Sequence, residues 1–228
     1  MDFNGVSKDR NVDIVFCIDG TGSMSGIIDT IKAHARKFQV DLTTALVEAK
    51  TNITQLRIKL ITFRDYGCDS DAMEITRFFE LPDDQDKFEA ALNAIDAHGG
   101  GDAPENGFEA LYYALKSDWN TGTNDRQIVV LFTDADALDL GARASAPGYP
   151  ADMVDMAGLE TIWVCKDSQE SSLRERLKRL VIFAPRGTKY ESLVWNRLQF
   201  EAVERGTGLE DISFEEVIKS IVKSATAA

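Results

Sequence analysis

Apolar and polar positions fall in blocks along the chain, and the repeat of the apolar positions switches back and forth between two periods. Val12 to Ile18 is a short apolar run that ends at Asp19, which reads as a buried strand. The repeat then lengthens. Ile27, Ile31, Ala35, Phe38, Leu42, Leu46 and Ala49 recur every three or four positions, the stripe of a long amphipathic helix. Arg57 to Phe63 is strand-like, and Met73 to Phe79 alternates as an edge strand does. Asp84 to Ala97 predicts a helix with Phe88, Leu92 and Ile95 on one face. Gly99 to Gly101 breaks the chain, and a further helix is expected from Pro104 to Lys116. Ile128 to Thr133 is the most apolar strand and ends at Asp134. Leu159 to Val164 and Leu180 to Phe183 read as two more strands. The last helix opens at Ser213 with Glu216 three residues on, a reciprocal capping pair, and carries Val217, Ile218, Ile221 and Val222 on its apolar face.

Strands that alternate with helices pair in parallel through right-handed crossovers. Strands that are apolar throughout need cover on both faces. The pattern therefore predicts a doubly wound α/β fold: a mostly parallel central sheet flanked by helices. With no internal repeat, low-complexity stretch or linker, residues 1–228 read as a single domain.

Composition narrows the partners. The chain carries 38 acidic against 25 basic residues, a formal net charge of −13. Such a surface repels phosphate backbones and anionic lipid, so nucleic acid and membrane are poor partners. No apolar run approaches the ~20 residues that span a bilayer. The N-terminal residues lack the apolar core of a secretion signal, so a cytoplasmic location is expected. Cys17, Cys68 and Cys165 are odd in number and widely spaced, which indicates neither a disulfide framework nor a zinc site.

Ligands of open α/β sheets bind beyond the carboxyl ends of the strands, so the residues that follow each strand carry the chemistry. Asp19, Thr21 and Ser23 follow the first, with Gly20 and Gly22 between them to let the loop turn tightly. Asp65 follows the second, Asp102 and Glu105 follow the glycine run, and Asp134 ends the most apolar strand. Carboxylates and hydroxyls from separate segments thus meet at one edge. An oxygen-only set suits a hard divalent cation, Mg²⁺ or Mn²⁺.

The spacing Asp19-Gly20-Thr21-Gly22-Ser23, with Gly100 to Glu105 and Phe132-Thr133-Asp134 following in order, resembles the metal-ion-dependent adhesion site of von Willebrand factor A (vWA) domains. Phe63-Arg64-Asp65-Tyr66-Gly67 together with Gly99 to Glu105 is similar to intracellular vWA proteins, some of which occur beside kinases and phosphatases. The resemblance implies Asp19, Thr21, Ser23, Glu105 and Asp134 around one Mg²⁺, with Asp65 and Asp102 matching the carboxylates of a neighbouring cation site. The asparagine of that neighbouring site is replaced by Gly100, and Gly26 and Ile27 stand where integrin β subunits place carboxylates for another. The implied function is metal-dependent binding of a protein partner that supplies an Asp or Glu, a separate kinase or phosphatase among the candidates, and not catalysis.

Each residue also has a plainer reading. Ser23 or Ser25 can cap the first helix, and Asp102 with Pro104 looks like a helix start. Asp19-Gly20-Thr21 also matches half of a haloacid dehalogenase-type phosphatase motif, so a metal-dependent phosphatase or phosphotransferase is the alternative. Its nucleophilic aspartate position holds Cys17. The Gly-Lys-Ser/Thr of a phosphate-binding loop is absent as well.

Overall fold

The structure, a computed structural model, describes residues 8–100, 104–165, 171–205 and 213–226. The central apolar runs become the central strands. β1 (Lys8–Asp19) leads into one turn of 3₁₀-helix (Gly22–Met24) and then α1 (Ser25–Glu48). β2 (Thr51–Phe63), β3 (Met73–Ile75), β4 (Phe79–Leu81) and α2 (Gln85–Ala94) follow. The second half holds α3 (Gly107–Leu115), β5 (Asp125–Phe132), α4 (Met156–Trp163), β6 (Lys178–Pro185), β7 (Leu198–Val203) and α5 (Phe214–Thr226).

The seven strands form one sheet in the order β3-β2-β1-β5-β6-β7, with β4 also on β2. β2, β1, β5, β6 and β7 run parallel, while β3 and β4 pair antiparallel to β2 at the edge. This is the doubly wound α/β arrangement that the periodicity predicts. The chain leaves β1 toward β2 and returns to β5 on β1's other side, so a switch point lies between the carboxyl ends of β1 and β5.

Alternation along the strands sorts side chains into two cores. Val12, Ile14, Phe16 and Ile18 of β1 pack with Ile128, Val130 and Phe132 of β5 beneath α1, α2 and α5. Val15 and Cys17 face the other way, with Val129 and Leu131, toward α3 and α4. All eight residues of β5 are buried, as a central strand covered on both faces requires. Burying each large aliphatic side chain of this kind is worth roughly 1.5–3 kcal/mol. The capping pair forms as predicted: Ser213 N donates to Glu216 Oε2 at 2.9 Å and Glu216 N donates to Ser213 Oγ at 3.2 Å. Among the described residues, no helix is long and apolar enough to cross a membrane.

Several elements differ from the sequence expectation. Leu159 to Val164, expected as a strand, is the core of α4. The Asp155 carboxylate accepts from Gly158 N at 2.8 Å and caps it, while Leu159, Ile162 and Trp163 bury one helical face. A short apolar run does not by itself distinguish helix from strand. The expected edge strand Met73 to Phe79 divides into β3 and β4, because the Thr76 hydroxyl accepts from Leu60 N at 2.9 Å and interrupts the ladder. α3 starts at Gly107 rather than Pro104 because the Glu105 backbone is committed elsewhere: Glu105 N donates to Asp136 O and Leu138 N to Glu105 O, at 3.0 and 2.8 Å. β7 has no counterpart in the expectation; at the sheet's edge, Leu198, Phe200 and Ala202 alternate with Gln199 and Glu201 before Val203 ends the strand.

Candidate metal centre

The switch point gathers the polar residues that follow β1 and β5. Asp19, the last residue of β1, is fully buried, so its carboxylate is satisfied from within. Oδ1 accepts from Thr21 N at 3.0 Å and from Thr21 Oγ1 at 2.7 Å, and Oδ2 accepts from Thr133 Oγ1 at 2.7 Å. Thr21 Oγ1 stands 3.4 Å from Ser23 Oγ, which donates to Asp134 Oδ1 at 3.0 Å. A continuous chain of oxygens therefore runs from Thr133 through Asp19, Thr21 and Ser23 to Asp134. Burial pushes the Asp19 carboxyl up to about 6; the hydrogen bonds from Thr21 and Thr133 oppose the rise and the charge of Asp134 adds to it.

Glu105 reaches the same cleft from the segment before α3. Its backbone forms a parallel bridge with Ala137, just past the end of β5, and its side chain is buried. A cleft of about 210 Å³ is lined by Thr21, Ser23, Glu105 and Asp134, by Gly22, Gly99, Gly100 and Ala135, and by the exposed Arg205. Gly100 has φ +71°, and a Cβ there would lie 2.7 Å from Thr21 Cβ and 3.3 Å from Glu105 Oε1. A side chain at this position would fill the cradle, so the close approach of the glycine segment to Thr21 depends on glycine.

Of the seven residues singled out by sequence, Asp19, Thr21, Ser23, Glu105 and Asp134 stand together around this cleft and beneath it. Asp65 stands apart. Arg143 grips it, Nε donating to Oδ1 at 2.6 Å and Nη2 donating to Oδ2, and Gly67 N donates to Oδ1 at 2.8 Å. Burial alone would raise the Asp65 carboxyl, but these hydrogen bonds outweigh it and hold it below the usual range. Its observed role is to tie the segment after β5 down to the β2–β3 turn. Asp102 lies outside the described residues. Among the described residues, no three His, Cys, Asp or Glu side chains gather into a metal-binding group by themselves. The carboxylates of the cleft are instead joined by hydroxyls, an all-oxygen donor set of the type hard divalent cations take.

Two supporting residues escape a reading of the motif alone. Thr133 is part of the recognised segment, yet its hydrogen bond to Asp19 is a tertiary contact. Arg64, fully buried, organises the loops around the site. Its Nε donates to Gly20 O at 3.1 Å, Nη2 to Asp96 O at 2.7 Å and Nη1 to Asp71 O at 3.0 Å. His98 N also donates to Gly20 O at 3.0 Å. An arginine placed directly after an apolar strand was the available signal. Arg205, far along the chain, gave none.

A family model described as von Willebrand factor A domain matches residues 13–145, more than half of the chain. The alpha-protein kinase vwkA of Dictyostelium discoideum is 25% identical over 148 residues, which is 65% of this chain and 22% of the kinase. The chain thus spans about a fifth of the length of that curated relative. Among solved structures, the pilus adhesin SpaC from Lactobacillus rhamnosus GG matches with a TM-score of 0.53 at 14% identity, over 95% of this chain and 31% of the adhesin. The open conformation of SpaC matches with a TM-score of 0.52 at 12% identity, over 95% and 30%. At these identities the likeness is one of fold.

Proposed function

We propose, from the premise that the chain belongs to the von Willebrand factor A domain family, that it binds a divalent cation in the cleft at the switch point and uses it to hold an acidic residue of a protein partner. The observation that carries this reading is the oxygen chain from Asp19 through Thr21 and Ser23 to Asp134, with Glu105 lining the same cleft. Those five residues would hold Mg²⁺, or Mn²⁺, since both take oxygen ligands. The glycine cradle at Gly100 fits the same reading, because it keeps side-chain bulk away from Thr21 and Glu105.

When bound, the cation supplies a positive charge and a site for an anionic oxygen. The chain's own residues do the rest. Thr133 and the Thr21 amide orient the Asp19 carboxylate. Arg64 fixes the Gly20 loop against the Asp96 segment, so the donors are positioned before a ligand arrives. The cation's charge would offset the mainly acidic donors of the cleft, and a partner's Asp or Glu would be held by that cation.

The reading is one of binding without catalysis. The proposed partner is a protein, a separate kinase or phosphatase among the candidates, and the proposed location is the cytoplasm. Titration calorimetry with Mg²⁺ or Mn²⁺ tests the site: one principal binding event is expected, lost in Asp19→Ala/Thr21→Ala while the circular dichroism spectrum is retained. Equal metal binding by the double variant would refute the assignment. Turnover of a phosphoester that is lost in Asp19→Asn would replace binding with the phosphatase reading.

A further inference from the structure

We infer that Arg205 is the second contact for the partner's acidic group, and that it makes the cleft selective for a carboxylate over a neutral oxygen donor. The inference rests on the metal-dependent reading above and adds to it a residue of this chain that reads the partner.

Arg205 follows the end of β7 and, among the described residues, is the positively charged side chain that lines the cleft together with Glu105 and Asp134. Among the described residues it has neither a hydrogen-bond nor an ion-pair partner. Other cations near this end of the sheet are engaged. Arg143 holds Asp65, Arg186 pairs with Glu191 at 3.1 Å, and Lys189 pairs with Asp139 at 2.6 Å. Arg64 is surrounded by Asp71 and Glu74 at 3.2 and 3.4 Å. In a chain of net charge −13, acids to engage one more surface guanidinium are plentiful. Among the described residues, Arg205 lines the candidate binding cleft without such an acid.

The chemistry follows from the two oxygens of a carboxylate. A cation held in the cleft would take one of them, and the other would still need a donor. A guanidinium presents paired N–H groups in a plane that matches a carboxylate, and hydrogen bonds between two ionised groups are among the strong ones. An amide oxygen can approach a metal too, but it carries no charge to reward Arg205. The same guanidinium repels an incoming metal cation, so Arg205 favours the acidic partner at some cost to the metal.

The test uses the full chain loaded with Mn²⁺ and two small probes, N-acetyl-glutamate amide and N-acetyl-glutamine amide. Water-proton relaxation by the bound Mn²⁺ reports displacement of its water by each probe, and calorimetry reports Mn²⁺ affinity separately. The wild-type chain is expected to bind the glutamate probe and to prefer it to the glutamine probe. Arg205→Ala is expected to weaken the glutamate probe by about tenfold or more, to leave the glutamine probe unchanged, and to bind Mn²⁺ as tightly or more tightly. Arg205→Lys, a point charge without the planar fork, falls between the two. Arg205 is exposed, and an unchanged unfolding midpoint in the variants checks the fold. Equal affinity for the glutamate probe in wild type and Arg205→Ala, with Mn²⁺ bound in both, overturns the role of Arg205 and leaves the metal site standing. Failure of the wild type to bind Mn²⁺ overturns both.

Discussion

Replacing Asp19 with asparagine should stabilise the metal-free protein at neutral pH, although Asp19 is the pivot of the candidate site. Its carboxyl is fully buried, and burial pushes it up to about 6 from the ordinary carboxylate value of 3.8. A carboxyl with a raised folded-state pKa binds its proton more tightly in the folded chain than in the unfolded one. The stability this contributes is fully present below the unfolded value and is lost as pH rises through about 6. With 1.36 kcal/mol for each tenfold change in proton affinity, the loss between pH 4 and 7 is about 2 kcal/mol. Asparagine keeps the acceptor for Thr21, and its amide donates to the Thr133 hydroxyl, which rotates to accept. Urea unfolding in EDTA from pH 4 to 8 should show this fall in the wild type and its absence in Asp19→Asn. At pH 7.5 the variant should be the more stable by about 1–3 kcal/mol. Saturating Mg²⁺ should reverse the order, because a ligand that binds only the folded state stabilises it by mass action. An unchanged pH slope in Asp19→Asn, or a variant less stable than wild type in EDTA at pH 7.5, would show that the Asp19 carboxylate is not under the strain of burial described here.

Three further outcomes are expected. Gly100→Ala should lower Mg²⁺ affinity at least tenfold in calorimetry and destabilise the fold by about 1–2 kcal/mol, since the position has φ +71° and its Cβ would meet Thr21 at 2.7 Å; unchanged metal affinity would show that the cradle is immaterial. Tyr190→Phe should be neutral or stabilising by about 1 kcal/mol in urea unfolding, because its buried hydroxyl has no hydrogen-bond partner among the described residues, and Gly107→Ala, whose Cβ would collide with that hydroxyl, should be destabilising by about 3 kcal/mol and less so in the Tyr190→Phe background. Asp13→Ala should cost about 3 kcal/mol, because it leaves the Arg57 guanidinium without its 2.6 Å buried partner and removes the acceptor for Asn120 N; a loss under 1 kcal/mol would place that pair among weak surface contacts.

The fold was legible where one period persisted long enough to exclude the other. The seven-position stripe from Ile27 to Ala49 could only be a helix, and β5 is apolar throughout because both its faces are covered. Legibility failed at short elements. Leu159 to Val164 satisfies either period, and what decides it is the Asp155 cap and the position of Trp163 in the second core. β7 is half-buried at an edge, so its alternation is weak. At the candidate site, the residues within one loop and at strand ends could be read from spacing, because strand topology alone brings those ends together. Asp65 could not be distinguished by that logic. It too follows a strand, but its environment is set by Arg143, seventy-eight positions further on, in a loop whose path no local pattern encodes. The same holds for Arg205, which reaches the cleft only through the placement of β7.

The most direct test of the account is anomalous diffraction from crystals of the protein grown with Mn²⁺. The account predicts one strong peak in the switch-point cleft within bonding distance, about 2.2 Å, of Thr21 Oγ1 and Ser23 Oγ, and no such peak in Asp19→Ala/Thr21→Ala crystals grown in the same way. A peak elsewhere, or none in the cleft at saturating Mn²⁺, would contradict it.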